Sequence, residues 1–272
     1  MLTRFAPSPT GYLHLGHVVN AIYVWGIARA RAGDVLLRIE DHDRIRSRPE
    51  FEAAILEDLE WLGFATSPRY RQSDQDEVYL RALAALRHTH HVYACDCSRK
   101  DIGGERYPGR CRDRHLAETP GRGLRVVMAP GIERFVDGRL GPQEQSPADQ
   151  CGDLLLRDRD GHWSYQFAVT VDDYRDQVTH VIRGADLLSS TGRQMRLARM
   201  LGRAEPPEFL HHPILLNASG EKLSKSSGDS GVRELRAAGV SAEEVIGRAA
   251  HAAGLIDRAC LMAASDVGTL FD

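Results

Sequence analysis

The sequence predicts an α/β fold built on a doubly wound parallel sheet, with an inserted α+β subdomain and a short helical region at the end. Three observations predict it. The chain opens as strand, loop, helix, strand; two helices follow, the first closed by Gly63; and the α/β rhythm breaks near residue 88 and returns after residue 150.

Thr3 to Ala6 reads as a short strand, followed by the turn-forming Pro7-Ser8-Pro9-Thr10-Gly11. A largely apolar segment from Leu13 to Ala32, interrupted by His14, His17, Asn20, Arg29 and Arg31, reads as a helix that ends at Gly33, a favoured helix stop. Val35 to Glu40 is a second, buried strand. Helices are expected from Glu50 to Leu62, closed by Gly63, and from Gln75 to Leu86. Between His88 and Pro147 cysteine, glycine and proline accumulate and only short strand candidates such as Leu124 to Met128 appear, the pattern of an insertion. Ordered segments return at Trp163 to Thr170 and Val178 to Ile182, then a helix from Ser190 to Leu201 and a strand from Phe209 to Leu216. Ser241 with Glu244 forms a capping box and Val240 with Val245 a hydrophobic staple, so a last helix runs to about Gly254. The expected divisions are 1–87 and 151–228 for the two halves of the sheet domain, 88–150 for the insertion and 229–272 for the helical segment.

With 272 residues, 42% hydrophobic and 27% charged, the chain can bury a substantial core. No apolar run reaches the roughly 20 residues that cross a bilayer, and the N-terminus lacks an apolar signal core, so a cytoplasmic protein is expected. A net charge of −3 excludes a global basic field for coating nucleic acid; any RNA contact must be local. The densest basic cluster, Arg106, Arg110, Arg112 and Arg114, reads equally as a solvated loop or an RNA contact. Cysteines in such a chain argue for metal or buried thiols rather than disulfides. Cys95, Cys97 and Cys111 fall within 17 residues, whereas Cys151 and Cys260 stand alone and are expected to be structural.

Two short segments carry the chemistry. His14-Leu15-Gly16-His17 sits where the first helix begins, so two imidazoles share one turn beside the positive end of the helix dipole, and Gly16 lets a nucleotide approach the backbone. Lys222-Leu223-Ser224-Lys225-Ser226 lies in a polar loop with Gly220, Ser227 and Gly228; Lys100 is the only other lysine, although Lys plus Arg number 35. A closing loop of this kind brings two ammonium groups to a developing phosphate charge.

Together these segments resemble the paired signatures of class I aminoacyl-tRNA synthetases, whose catalytic core is Rossmann-like. Arg4-Phe5-Ala6-Pro7-Ser8-Pro9-Thr10-Gly11, Arg38-Ile39-Glu40-Asp41, Tyr165-Gln166-Phe167-Ala168, Val171-Asp172-Asp173 and Val181-Ile182-Arg183-Gly184 narrow the resemblance to the glutamyl branch. The resemblance implies that His14, His17, Lys222 and Lys225 are catalytic, that Gly16 joins His14, His17 and Lys225 in holding ATP with Mg2+, and that Arg4, Ala6, Ser8, Glu40, Tyr165 and Arg183 line a glutamate pocket. Glutamate carries two carboxylates and one ammonium, matching the guanidinium groups of Arg4 and Arg183 and the carboxylate of Glu40. The pattern departs at Val169, where glutamyl enzymes usually have Asn.

Only 46 residues follow Ser226, too few for the helical anticodon-reading region of a glutamyl-tRNA synthetase. The chain in this respect resembles the glutamyl-queuosine tRNA(Asp) synthetases. That family activates glutamate without tRNA and transfers it to queuosine at the wobble position of tRNA(Asp), so the expected partners are L-glutamate, ATP and that anticodon stem-loop. A monomer is expected. The family resemblance also implies one structural zinc on Cys95, Cys97, Tyr107 and Cys111, while general ligand chemistry keeps His115 open as the fourth ligand. Rival expectations are a minimal core that charges tRNA(Glu), a small-molecule adenylyltransferase, and a non-catalytic tRNA-binding paralogue.

Overall fold

The computed structural model describes residues 1–64, 69–104, 106–216 and 231–272. In chain order they form β1 (Leu2–Phe5), α1 (Leu15–Ala30), β2 (Asp34–Ile39), α2 (Pro49–Leu62), β3 (Arg69–Arg71), α3 (Asp76–Thr89), β4 (Val92–Cys95) and α4 (Arg99–Ile102). There follow β5 (Gly123–Val126), β6 (Glu133–Asp137), β7 (Gly141–Gln145), α5 (Pro147–Gln150), β8 (Leu154–Arg157), α6 (Tyr165–Arg175), β9 (His180–Gly184), α7 (Thr191–Met200), β10 (Glu208–His212), α8 (Val232–Ala237) and α9 (Ala242–Ala252). They group into two compact units, one of residues 1–71, 178–186 and 209–272, the other of 72–177 and 187–208.

The first unit carries the parallel sheet. β1 pairs with β2 in the register Thr3 to Val35 and Phe5 to Leu37, and β2 pairs in parallel with β3. Helix α1 crosses over between β1 and β2, and its run from Val18 to Ala28 is buried all round except at Asn20. A helix apolar on every face belongs in the interior. Gly26 is the point of closest approach: a Cβ there would lie 2.3 Å from the Phe271 ring, so the residue lets the segment around Val267 and Phe271 lie on the helix. Helix α2 begins with Pro49 at its first turn and ends in a left-handed Gly63, φ 81°. Helix α9 begins at Ser241, whose hydroxyl accepts from Glu244 N at 3.2 Å, and buries Val245, Ile246, Ala249 and Ala250.

The second unit starts at Gln72, ahead of residue 88 where the insertion is expected. The reason is packing: α3 buries Tyr79, Leu83 and Leu86 in one cluster with Trp163, just ahead of α6, Phe167 of α6 and Leu197 of α7. Trp163 reinforces this by donating from its indole to Asp76 at 2.9 Å. An antiparallel sheet β4-β5-β8 and the antiparallel hairpin β6-β7 complete the unit. The segment from Trp163 to Thr170 is mostly the first part of α6, started by Ser164, whose hydroxyl accepts from Phe167 N at 3.3 Å. No described helix is long and apolar enough to cross a membrane.

Candidate functional site

His14 is the N-cap of α1, and the two signature histidines cap one another's backbone. Gly16 N donates to His14 Nδ1 at 3.1 Å, and His14 N donates to His17 Nδ1 at 3.1 Å. Two donors otherwise left unmade at a helix start are thereby satisfied. Because each Nδ1 accepts, each neutral ring carries its proton on Nε2, which makes both Nε2–H groups donors. The rings lie 3.9 Å apart between centroids. Gly16 serves this cap directly: a Cβ there would meet His14 Cε1 at 2.9 Å.

Gly231, just after the segment that contains the second signature, forms an antiparallel bridge with His14, and Val232 N donates to Leu13 O at 3.0 Å. The guanidinium of Arg233 lies 4.8 Å above the Tyr12 ring, and that of Arg236 lies 5.5 Å above Trp61. Beneath them Asp58 of α2 is 1% exposed. Burial pushes its carboxyl up to about 6 despite the pull of Arg233 and Arg236. Lys222 and Lys225 themselves lie outside the described residues.

The first unit also gathers most of the expected glutamate-pocket residues. Arg4 on β1 is buried and donates from Nη1 to Ile182 O on β9 at 3.2 Å. Arg183, the next residue on β9, is buried and donates from Nε to His211 Nε2 on β10 at 3.1 Å. Glu40, just beyond β2, is buried and accepts from Arg38 Nη2 at 2.9 Å, and its backbone N donates to Pro7 O at 3.0 Å. Ala6 and Ser8 are half-buried in the loop after β1. Arg4, Arg183 and Glu40 are all buried in this unit, and Ala6, Ser8 and Glu40 lie beyond the carboxyl ends of parallel strands, where open α/β sheets bind ligands. Tyr165 belongs to the other unit, as the half-buried first residue of α6, and Val169 is buried in the same helix. Its neighbour Gln166 donates to Ser190 Oγ at 2.9 Å and accepts from Gln194 Nε2 at 2.9 Å. Asp172 is fully buried and accepts from Gln72 at 2.8 Å and from the Tyr79 hydroxyl at 3.0 Å.

In the second unit Cys95, Cys97 and Cys111 bring their sulfurs within 4.8 Å of one another. Cys97 Sγ is 3.6 Å from Cys111 Sγ, and the Tyr107 hydroxyl lies 3.4 Å from Cys95 Sγ and 3.9 Å from Cys97 Sγ. Around zinc, with Zn–S of about 2.3 Å and Zn–O of about 2.0 Å, tetrahedral ligand atoms sit roughly 3.5 to 3.8 Å apart. The donor set fits the ion. His115 is exposed, with φ 48°, and does not join the sulfur group, whereas the Tyr107 hydroxyl does lie beside it. Burial pushes the Cys97 thiol up to about 11, whereas hydrogen bonds from Tyr107 and the Asp96 backbone outweigh burial and hold Cys111 below its ordinary value. A bound dication would supply the positive charge that deprotonated ligands need.

The four arginines beside this cluster each hold the subdomain. Arg106 donates to Ala148 O, Arg110 to Asp101 O at 2.6 Å, Arg112 to both oxygens of Asp153 at 2.8 and 3.0 Å, and Arg114 to Asp96 at 2.8 Å. Cys151 is buried, as a structural thiol should be; Cys260 is exposed, so its side chain fills no core. Asp158, Asp160 and His162 also gather, but Asp158 Oδ1 already accepts from the backbone N of both Asp160 and His162, closing the turn after β8.

The family model for the catalytic domain of class I tRNA synthetases (E and Q) matches residues 1–120 and 131–247. The chain belongs to this synthetase family. A relative from Nitratidesulfovibrio vulgaris named glutamyl-Q tRNA(Asp) synthetase is 41% identical, with 93% of this chain and 86% of the relative covered. A protein of the same name from Burkholderia mallei is 45% identical over 83% of this chain and 80% of its own length. Among solved structures, a glutamate tRNA ligase from Elizabethkingia meningosepticum in complex with its amino acid aligns with TM-score 0.83 and 28% identity. The glutamate-tRNA synthetase of Elizabethkingia anophelis aligns with TM-score 0.84 at the same identity. All of this chain is covered, and it spans 64% and 66% of those two ligases.

Sequence reasoning missed three supports of this site: His211 behind Arg183, Arg38 behind Glu40, and Asp153 behind the cysteine cluster. His211-His212 inside the strand-like apolar segment from Phe209 to Leu216 was the available signal for the first; the others carry none beyond their charge.

Proposed function

We propose that this chain activates L-glutamate with ATP, without needing tRNA, and transfers the glutamyl group to queuosine at the wobble position of tRNA(Asp) in the cytoplasm, working as a monomer. The observation that carries the reading is the likeness, at 41 to 45% identity over most of both chains, to relatives named glutamyl-Q tRNA(Asp) synthetase. The glutamate α-carboxylate attacks the α-phosphorus and pyrophosphate leaves, so the protein supplies position and charge rather than a nucleophile. The Nε2–H groups of His14 and His17 and the start of α1 face the phosphates, Gly16 keeps the cap compact, and Lys222 and Lys225 meet the pyrophosphate charge as it develops. Mg2+ balances the triphosphate. Arg4 and Arg183 hold carboxylate, Glu40 takes the ammonium, and Ala6, Ser8 and Tyr165 complete the pocket. In the second step a hydroxyl of the queuosine cyclopentenediol attacks the glutamyl carbonyl and AMP leaves.

Cys95, Cys97, Cys111 and Tyr107 hold one structural zinc, which would fix the ends of this cysteine-rich segment together. Metal analysis of protein from zinc-replete growth checks this, with one zinc per chain expected.

Labelled glutamate offered with queuosine-containing tRNA(Asp), with tRNA(Asp) lacking queuosine, and with tRNA(Glu) tests the reading. Label on the first alone is expected. Label on tRNA(Glu) would favour the second reading, a minimal charging core, which the alignment with two glutamate-tRNA ligases keeps in view.

A further inference from the structure

Arg125 of β5 is a buried cation that pairs with no carboxylate among the described residues. Its side chain is 7% exposed; Nη1 donates to the backbone oxygen of Asp153 at 2.8 Å, and Nε is buried with no hydrogen-bond partner. The nearby Asp153 carboxylate is already spent. It accepts from the Tyr93 hydroxyl at 2.6 Å, from Arg112 at 2.8 and 3.0 Å, and from Met128 N at 3.2 Å. A guanidinium taken out of water without an anion costs several kcal/mol, so its face indicates what it is there to meet. That face lies 3.8 Å above the centroid of the Tyr107 ring. The ring is held from other sides as well: Cys111 N donates to its hydroxyl at 2.9 Å, and Tyr107 N donates to Cys151 O at 2.9 Å.

A zinc ion bound by three thiolates and one phenolate carries a formal charge of −2. Arg114 approaches one corner of that set, with Nη1 3.4 Å from Cys111 Sγ. We propose that Arg125 is the buried countercharge of the centre, a positioning residue that holds Tyr107 as the oxygen ligand and offsets the charge of the loaded site from beneath the ring. This rests on the zinc reading above. It accounts for the burial of a cation with no acid of its own among the described residues, and for an oxygen ligand where imidazole is commoner.

Zinc affinity of the full chain, measured by competition with a chromophoric chelator, and the visible spectrum of the cobalt-substituted form test it. Arg125→Gln keeps a donor for Asp153 O and removes the charge; affinity falls about 10- to 100-fold, the usual effect of losing an outer partner of a metal ligand, and the cobalt bands shift. Arg125→Lys keeps the charge and stays within a few-fold of wild type. In a Tyr107→Phe background, Arg125→Gln costs less, because the phenolate beneath which it sits is gone and the loaded site carries one negative charge rather than two. Unchanged affinity in zinc-replete Arg125→Gln, or an equal loss in both backgrounds, overturns the proposal alone. A wild-type chain that takes up no zinc overturns the zinc reading and this one with it. If Arg125→Gln does not fold, Arg125→Lys decides, and a loss beyond tenfold in that folded variant is contrary.

Discussion

Asp58 offers a stability test whose sign is not intuitive. Its carboxyl is raised from 3.8 to about 6, with burial the largest cause and Arg233 and Arg236 pulling the other way. Between those two values the folded state holds a proton that the unfolded state has released, so stability falls as pH rises through this window and stays low above it. At about 1.36 kcal/mol per pH unit, the ionised group costs roughly 3 kcal/mol at pH 7.5 and about half of that at pH 5. Asp58→Asn removes the cost, so the variant is the more stable protein at pH 7.5, by an amount that moves the melting temperature up by roughly 5 to 10 °C for a chain of this size. Thermal melts of both proteins at pH 5 and pH 7.5 measure it, and the gap should widen with pH. A variant less stable than wild type at pH 7.5, or a gap equal at both values, would refute the reasoning and mean that attraction to Arg233 and Arg236 exceeds the penalty of burial.

Three further outcomes follow from the site. Arg183→Ala removes a buried charged donor worth about 1.5 to 3 kcal/mol, so the KM for glutamate in ATP–pyrophosphate exchange should rise roughly 10- to 100-fold, and an unchanged KM would remove Arg183 from the pocket. Lys225→Ala should slow adenylate formation about 10²- to 10³-fold, the scale of losing one transition-state donor, while equilibrium binding of glutamate is unaltered. Gly152→Ala would put a Cβ 1.8 Å from Tyr107 O at a residue with φ 64°; the backbone bridge to Tyr107 must open, and zinc retention during chelator dialysis should drop with the melting temperature.

What was legible in the sequence was local. The stop at Gly63 and the cap at Ser241 lie where their residue types put them, because each acts through bonds to its own neighbours. The opening strand-helix-strand was legible because its apolar runs are long and its breaks are glycine and proline. The hairpin of Glu133–Asp137 and Gly141–Gln145 was not, since its strands are largely polar and show little hydrophobic alternation. The bond from Arg183 to His211 joins strands 28 residues apart, and Asp153 meets Tyr93 from 60 residues away. No spacing rule reaches such pairs. That the Tyr107 hydroxyl lies 3.4 Å from Cys95 Sγ while His115 is exposed likewise depended on where the chain turned, which ligand chemistry alone does not reveal.

The bond from Val232 N to Leu13 O and the bridge from Gly231 to His14 close a loop of more than two hundred residues. Chain closure over that span is entropically costly and slow, and it becomes favourable only after the sheet and α1 have formed the surface that receives it. The start of α1, proposed above to meet the phosphates, is therefore completed by residues more than two hundred positions further along the chain, a step expected late in folding. Damage around residue 231 should appear in refolding experiments as delayed recovery of ATP binding after the bulk helix signal has already returned.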